Sequence, residues 1–255
     1  MHILLPPSEG KTPGGRGRPL TPDDSPLGRA RCTVLAGLHA LVTGDPAEAA
    51  EALLLPRGVA ADALAANAAV AGSRTMPALR RYAGVVYDGL AYADLSPAAQ
   101  RLAGRSLHIF SGLLGVVRGD EPVPYYRLPA KATLPGIGVA GAYWRPLLAE
   151  VLRERLADGL ILDLRSSDYA AMWRPDKATT ERVVTVRILS KRPSGSYAVV
   201  SYNSKFAKGR LAAALLEAAT SGLVIDSLDK ILQTCARIGI RGETPTPRHV
   251  DLYTA

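Results

Sequence analysis

The sequence holds only two cysteines, Cys32 and Cys235, among 255 residues. They lie far apart, in no CxxC and beside no histidine pair, which excludes a zinc site and a secreted disulfide framework. The four histidines are scattered, so no metal is expected. No stretch approaches the ~20 apolar residues that span a bilayer. The opening run Met1 to Leu5 meets Pro6 and Pro7 and is too short for a signal peptide. These absences imply a soluble protein of the reducing cytoplasm with no membrane partner. No repeat or low-complexity linker divides the chain, which is expected to form one domain over residues 1–255.

What is present is an ordinary globular composition, 47% hydrophobic and 21% charged. A chain of this length buries roughly 70 to 75% of the surface its unfolded form exposes, so no disulfide or metal staple is needed. The net charge of +8 is unevenly placed. Nine basic residues (Arg174, Lys177, Arg182, Arg187, Lys191, Arg192, Lys205, Lys208 and Arg210) face only Asp176 and Glu181 within 174–210, while the remainder is nearly neutral. A one-sided field of this kind concentrates polyanions or phosphorylated ligands.

The pattern predicts a buried strand over 2–5, then a Gly/Pro-rich loop over 10–24. Helices are expected over about 27–43, 60–71, 96–103, 143–156, 205–219 and 226–237. Ser96 and Pro97 give a cap and first-turn proline, and Gly159 reads as a stop. Strands are expected over 106–110, 160–164, 183–189 and 197–202. The mixture indicates an α/β (mixed α+β) fold with a mixed central sheet flanked by helices and a basic cleft.

Several motifs fail on context. Gly10, Lys11 and Thr12 match the end of a GxxxxGK[ST] loop, but its first glycine would fall on Leu5, and Pro13, Gly14 and Gly15 block the required helix. Leu134 to Gly138 looks like the turn of a helix-hairpin-helix DNA module, yet Pro122, Pro124 and Pro129 preclude the preceding helix, leaving a glycine-rich lead into the helix at Tyr143.

What remains is a set of polar strand ends. Ser8, Glu9 and Lys11 leave the first strand where α/β folds place their sites. Ser111 to Arg118 reads as a flexible hinge, and Tyr125, Tyr126 and Arg127 are able either to stack and hydrogen-bond a planar or phosphorylated ligand or to sit half-buried with wet hydroxyls. Asp163, Arg165, Ser166, Ser167, Asp168 and Tyr169 crowd another strand end. There Asp168 and Tyr169 suit acid, base or clamp roles, and the serines suit capping. Lys205 and Lys208, with Asn203 or Ser204 as cap, fall at a helix start whose free N–H groups favour an anion.

In this order, these segments resemble the YaaA family of bacterial peroxide-stress proteins. The likeness also runs through Val86 to Leu90, Ser111 to Gly115 with Arg118, Tyr126 to Leu128, Tyr143 and Trp144, and Lys205 to Gly209. The resemblance implies an intracellular role in resistance to hydrogen peroxide, a mixed α/β fold and a basic cleft that binds DNA. Asp163, Arg165 and Asp168 depart from the Asn, Ala and Glu of the pattern, and Pro129, Ala130 and Lys131 replace an acidic turn.

Two readings stay open. In one, the protein binds nucleic acid, with Arg174 to Arg210 on phosphates and Tyr126 or Trp144 stacking. In the other, it is an enzyme on a nucleotide or other small anionic or acyl substrate. Asp163, Asp168 and Tyr169 would then move protons, while Ser8, Lys11, Arg118, Tyr126, Arg127, Ser166, Lys205, Lys208 and Arg210 would form the ligand contacts. No motif names a cofactor.

Overall fold

A computed structural model describes residues 1–192 and 195–254. In chain order it contains β1 (His2–Leu5), β2 (Gly17–Pro19), α1 (Pro26–Val42), α2 (Pro46–Ala52), α3 (Ala60–Ala68), β3 (Arg74–Pro77), α4 (Ala78–Arg81), α5 (Val85–Leu90) and α6 (Pro97–Ser106). Then come β4 (Leu107–Ser111), β5 (Gly115–Arg118), β6 (Pro122–Val123), β7 (Thr133–Leu134), β8 (Gly138–Val139), α7 (Ala140–Arg155), β9 (Ile161–Asp163), α8 (Ser167–Ala170) and α9 (Lys177–Thr180). The chain finishes with β10 (Val183–Lys191), β11 (Tyr197–Ala198), α10 (Ser201–Thr220), α11 (Leu228–Arg237), β12 (Arg241–Thr246) and β13 (His249–Thr254).

Local chemistry accounts for many of these boundaries. Ser25 and Ser96 cap α1 and α6 by accepting from the N–H groups of Gly28 and Ala99, each followed by a proline, which has no N–H in need of an acceptor. Asp45 does the same for α2 through Ala47 and Glu48. β1 is a continuous apolar run because both of its faces are covered, and Ile3, Leu4 and Leu5 are fully buried.

The main sheet runs β12-β13-β10-β9-β1-β4-β5, with β11 on β10. Its inner strands β13, β10, β9, β1 and β4 are mutually parallel, whereas β12, β11 and β5 pair antiparallel. Leu4 lies beside His108 on one side and Asp163 on the other. The chain leaves β1 towards β4 and later returns to β1's other flank through β9, so the strand order reverses between β1 and β9. At such a point a crevice opens outside the carboxyl ends of the strands. α10 packs on β10 and crosses α5, α6 and α11, and α6 and α7 pack against β5.

The architecture is the mixed α/β arrangement that the pattern implies, with local corrections. The loop over 10–24 contains β2, held to β3. Ser111 to Arg118 is no flexible hinge; it is the tight, almost wholly buried β4–β5 hairpin, and Trp144 seats its ring where a Cβ on Gly115 would lie. Gly159 does not end α7, which closes at Arg155 with Leu156 as its cap; its positive φ of 74° instead turns the chain into β9. The strand expected over 197–202 shrinks to β11, because α10 begins at Ser201. Asn203 and Ser204 therefore lie inside the helix, and the Ser204 hydroxyl donates to Ile188 O rather than capping. The glycine-rich lead at 134–138 is the β7–β8 hairpin, from which α7 starts directly.

Candidate functional site

The loop after β1 is held rigidly. Lys11 bridges Tyr82, Ala83 N–H donates to Gly10 O and Thr12 N–H donates to Arg81 O. The Arg81 side chain is fully buried, and its guanidinium donates to the carbonyls of Val123, Thr12, Gly14 and Arg74. One guanidinium thus ties two carbonyls of the Gly/Pro loop, Thr12 and Gly14, to one each from β3 and β6.

Lys11 turns its ammonium inward. Nζ donates to Ser8 O at 2.9 Å and lies 4.3 Å from the centroid of the Tyr126 ring and 5.3 Å from that of Tyr82. No carboxylate comes within ion-pair distance among the described residues. Burial lowers the amine to about 7; Glu9 pulls it upward, and Arg127 and Arg81 push it further down. Beneath it, the Tyr126 hydroxyl is 2.6 Å from Ser111 Oγ and 2.8 Å from the Tyr82 hydroxyl, and Ser111 Oγ accepts Leu114 N–H at 3.0 Å. Burial raises both phenols, Tyr82 to about 12 and Tyr126 well above the ordinary range, so both stay protonated at neutral pH.

Beside this floor a pocket of about 310 Å³ is lined by Glu9, Arg127, Lys131, Asp168, Tyr169 and the apolar turn at Leu53 and Leu54. Two ion pairs cross it: Arg127 Nε to Glu9 at 3.2 Å and Lys131 Nζ to Asp168 at 2.8 Å. The Arg127 backbone is held by Asn67, whose side chain donates to Arg127 O and accepts Arg127 N–H, both at 2.8 Å. Tyr169 is buried, and that burial raises its hydroxyl above the ordinary phenol range, with the Ala130 backbone opposing the shift. A phenol so raised stays protonated at neutral pH and does not serve as a base there.

Asp163 is spent on Arg165. Its carboxylate accepts the Arg165 backbone N–H and both Nε and Nη2, and the guanidinium also donates to Tyr169 O and Trp173 O while lying over Phe110. Asp163 and Arg165 therefore answer each other's charge. Lys208 Nζ donates to Arg165 O at 3.1 Å, its amine lowered by burial.

The crevice thus gathers Ser8, Lys11, Tyr126, Arg127, Asp163, Asp168, Tyr169 and Lys208 around the ends of β1 and β9. Ser166 stands there at the start of α8 and makes no side-chain capping bond. Other expected residues fall elsewhere. Arg118 pairs with Asp120 and Glu121 at the opposite end of β4, in register with His108. Arg210 donates to Ile238 O beside α11. Lys205 is exposed and lies in the second turn of α10, not at its start, because the helix begins earlier than its cap residues suggest. Trp144 is fully buried with its Nε1 donating to Gly112 O, and Tyr126 is buried under Lys11, so neither stacks a ligand from solvent. The basic segment is also split. Arg182 donates to Gly159 O at the amino end of the sheet, whereas Lys191 ends β10 at the carboxyl end.

Tyr82 and Asn67 complete the site without a motif to announce them. Asn67 carries a faint signal, a lone amide inside the alanine-rich helix α3.

The description "Peroxide stress protein YaaA" belongs to the family model that matches residues 1–233. A UPF0246 protein of Streptomyces coelicolor is 44% identical over 224 residues, covering 87% of this chain and 85% of that protein. A second, from Corynebacterium efficiens, is 39% identical over 239 residues, covering 89% and 91%. The chain belongs to the peroxide stress protein YaaA (UPF0246) family. Among the described residues, no helix is long and apolar enough to cross a membrane.

Proposed function

We propose that the protein serves the response to peroxide through the crevice between β1 and β9, which takes a small molecule bearing phosphate or carboxylate groups. The observation that carries this reading is the pair of cations, Arg127 and Lys131, each holding a carboxylate from elsewhere in the fold across one pocket. Glu9 and Asp168 stand where an anionic ligand's oxygens would, and charge-assisted contacts to a guanidinium suit a bidentate anion. The Asn67 clamp fixes the Arg127 backbone from which the guanidinium extends, which lowers part of the cost of ordering it on binding. The test is a thermal-shift and calorimetric titration with inorganic pyrophosphate and with nucleoside mono- and diphosphates. Saturable binding that Arg127→Ala and Lys131→Ala weaken tenfold or more supports the reading; unchanged binding in both variants overturns it.

A second reading keeps DNA as the partner, as the family resemblance suggests. Its support is the exposed Lys191, Arg192 and Lys205 at the carboxyl end of the sheet, where phosphates would be met without stacking. Fluorescence anisotropy across salt concentrations separates the two. Six phosphate contacts give a log-log slope of roughly −4 to −5, while a pocket ligand gives a shallow one.

A further inference from the structure

The Lys11 side chain is half-buried with its amine turned onto the Tyr126 ring; among the described residues it lacks a carboxylate partner within ion-pair distance and has one hydrogen-bond acceptor, a backbone carbonyl. Lys131, the cation proposed to anchor the anion, stands in solvent and pairs with a carboxylate. Lys11 instead rests on the face of Tyr126, and the groups near it come from every neighbouring element: Glu9 on its own loop, Arg81 and Tyr82 from α4 and its end, and Tyr126 and Arg127 from the segment after β6.

We infer that Lys11 is a nucleophilic amine that forms an imine with an aldehyde or ketone bearing an anionic group, the anion being held by Arg127 and Lys131. This inference rests on the anion-binding reading above and deepens it. The neutral amine adds to the carbonyl carbon. The carbinolamine then takes one proton from solvent, loses water and leaves a protonated imine, so that amine, carbonyl compound and proton give iminium and water. The surroundings suit that product. The Tyr126 ring face and Ser8 O both attract a positive nitrogen, while the lowered amine is in part uncharged, and so nucleophilic, near neutral pH. An anion that displaces Glu9 from Arg127 also opens the side of the crevice next to Nζ.

The probe is pyridoxal 5′-phosphate, an aldehyde that carries phosphate, incubated with the full chain, reduced with borohydride and mapped by peptide mass spectrometry. The expected result is one dominant adduct at Lys11, at least tenfold over any of Lys131, Lys177, Lys191, Lys205, Lys208 and Lys230. Its labelling rate should rise to half its maximum near pH 7 and fall in the presence of pyrophosphate. Lys11→Arg should lose the adduct with the fold intact by circular dichroism. If that variant does not fold, the site distribution and pH profile of the unmodified protein decide alone. An even spread of label, or a Lys11 rate that climbs only above pH 9, overturns the inference. Pyrophosphate binding measured in the same preparation keeps the two ideas apart: binding without a Lys11 adduct sinks the imine and leaves the anion site standing, whereas no binding removes the site itself.

Discussion

The carboxylate of Asp163 closes on the guanidinium of Arg165 two residues later, 2.9 Å from Nε and 2.6 Å from Nη2, with side chains 12% and 2% exposed. Removing one partner strands a buried charge. Asp163→Asn should therefore cost about 3–5 kcal/mol in urea unfolding. The double variant Asp163→Asn with Arg165→Ala should cost clearly less than the two single costs added together. Additive losses would mean the pair is not coupled.

Acid should weaken the fold through two histidines. His2 Nε2 donates to Asp158 O, so its Nδ1 accepts from His108 Nε2 at 3.1 Å, and His108 Nδ1 is left as a buried lone pair with no partner. Burial lowers both rings, His108 to about 3. The unfolded chain then binds protons that the folded one refuses, so stability falls as pH drops below about 6.5. Between pH 6.5 and 4.5, above the ordinary carboxylate range, His108 alone should account for about 2–3 kcal/mol. Denaturation at a series of pH values should show this slope, and His108→Leu should flatten it.

Glycine in a helix normally gives way to alanine with a gain of about 1 kcal/mol. At Gly209 the reverse is expected, because a Cβ there would collide with Val86 O across the α5–α10 contact. Gly209→Ala should destabilise by about 2 kcal/mol or more through overpacking. Gly222→Ala, where nothing stands within 4 Å of the added carbon, provides the comparison for a strained φ without a clash. Chemical denaturation of both variants measures the difference.

The hydroxyl chain under Lys11 should be structural first. Ser111→Ala leaves Leu114 N–H without its acceptor and should cost about 1–3 kcal/mol. Tyr126→Phe keeps the ring face for Lys11 and removes only the hydroxyl, so its stability loss should be similar and its anion binding unchanged. A Tyr126→Phe protein that folds but no longer binds pyrophosphate would assign the hydroxyl to the ligand instead.

The crevice is legible in the sequence as far as strand ends are legible. Proline after Leu5 and polar residues after Leu164 mark where side chains leave the sheet, and the parallel pairing of β1 and β9 brings Lys11, Asp168 and Tyr169 to one place. What stays hidden is who pairs with whom. Nothing local tells that Asp163 is consumed by Arg165, that Arg118 belongs to the other end of β4, or that Asn67 holds Arg127 from sixty residues away. The start of α10 misleads for a related reason. Asn203 and Ser204 carry the chemistry of a cap, but the contact of Ser204 with Ile188 O draws them into the helix. Strands β12 and β13 escape because threonines, prolines and charges along 241–249 imitate a loop, and β10, the strand that ties this hairpin to the sheet through β13, lies far up the chain.

β1 has a consequence for how the chain folds. Its hydrogen-bond partners on either side, Leu107–Ile109 and Ile161–Asp163, are both remote in sequence, whereas the β4–β5 and β12–β13 hairpins close over short distances. Long loops must be closed before any pairing to β1 repays the lost freedom, which makes such assembly slow. The hairpins should form early, and the central Ile3–Leu4–Leu5 run should wait uncovered until both neighbours arrive. During that interval the segment is free to pair between molecules. Refolding from denaturant should therefore be rate-limited at this step and lose yield as protein concentration rises.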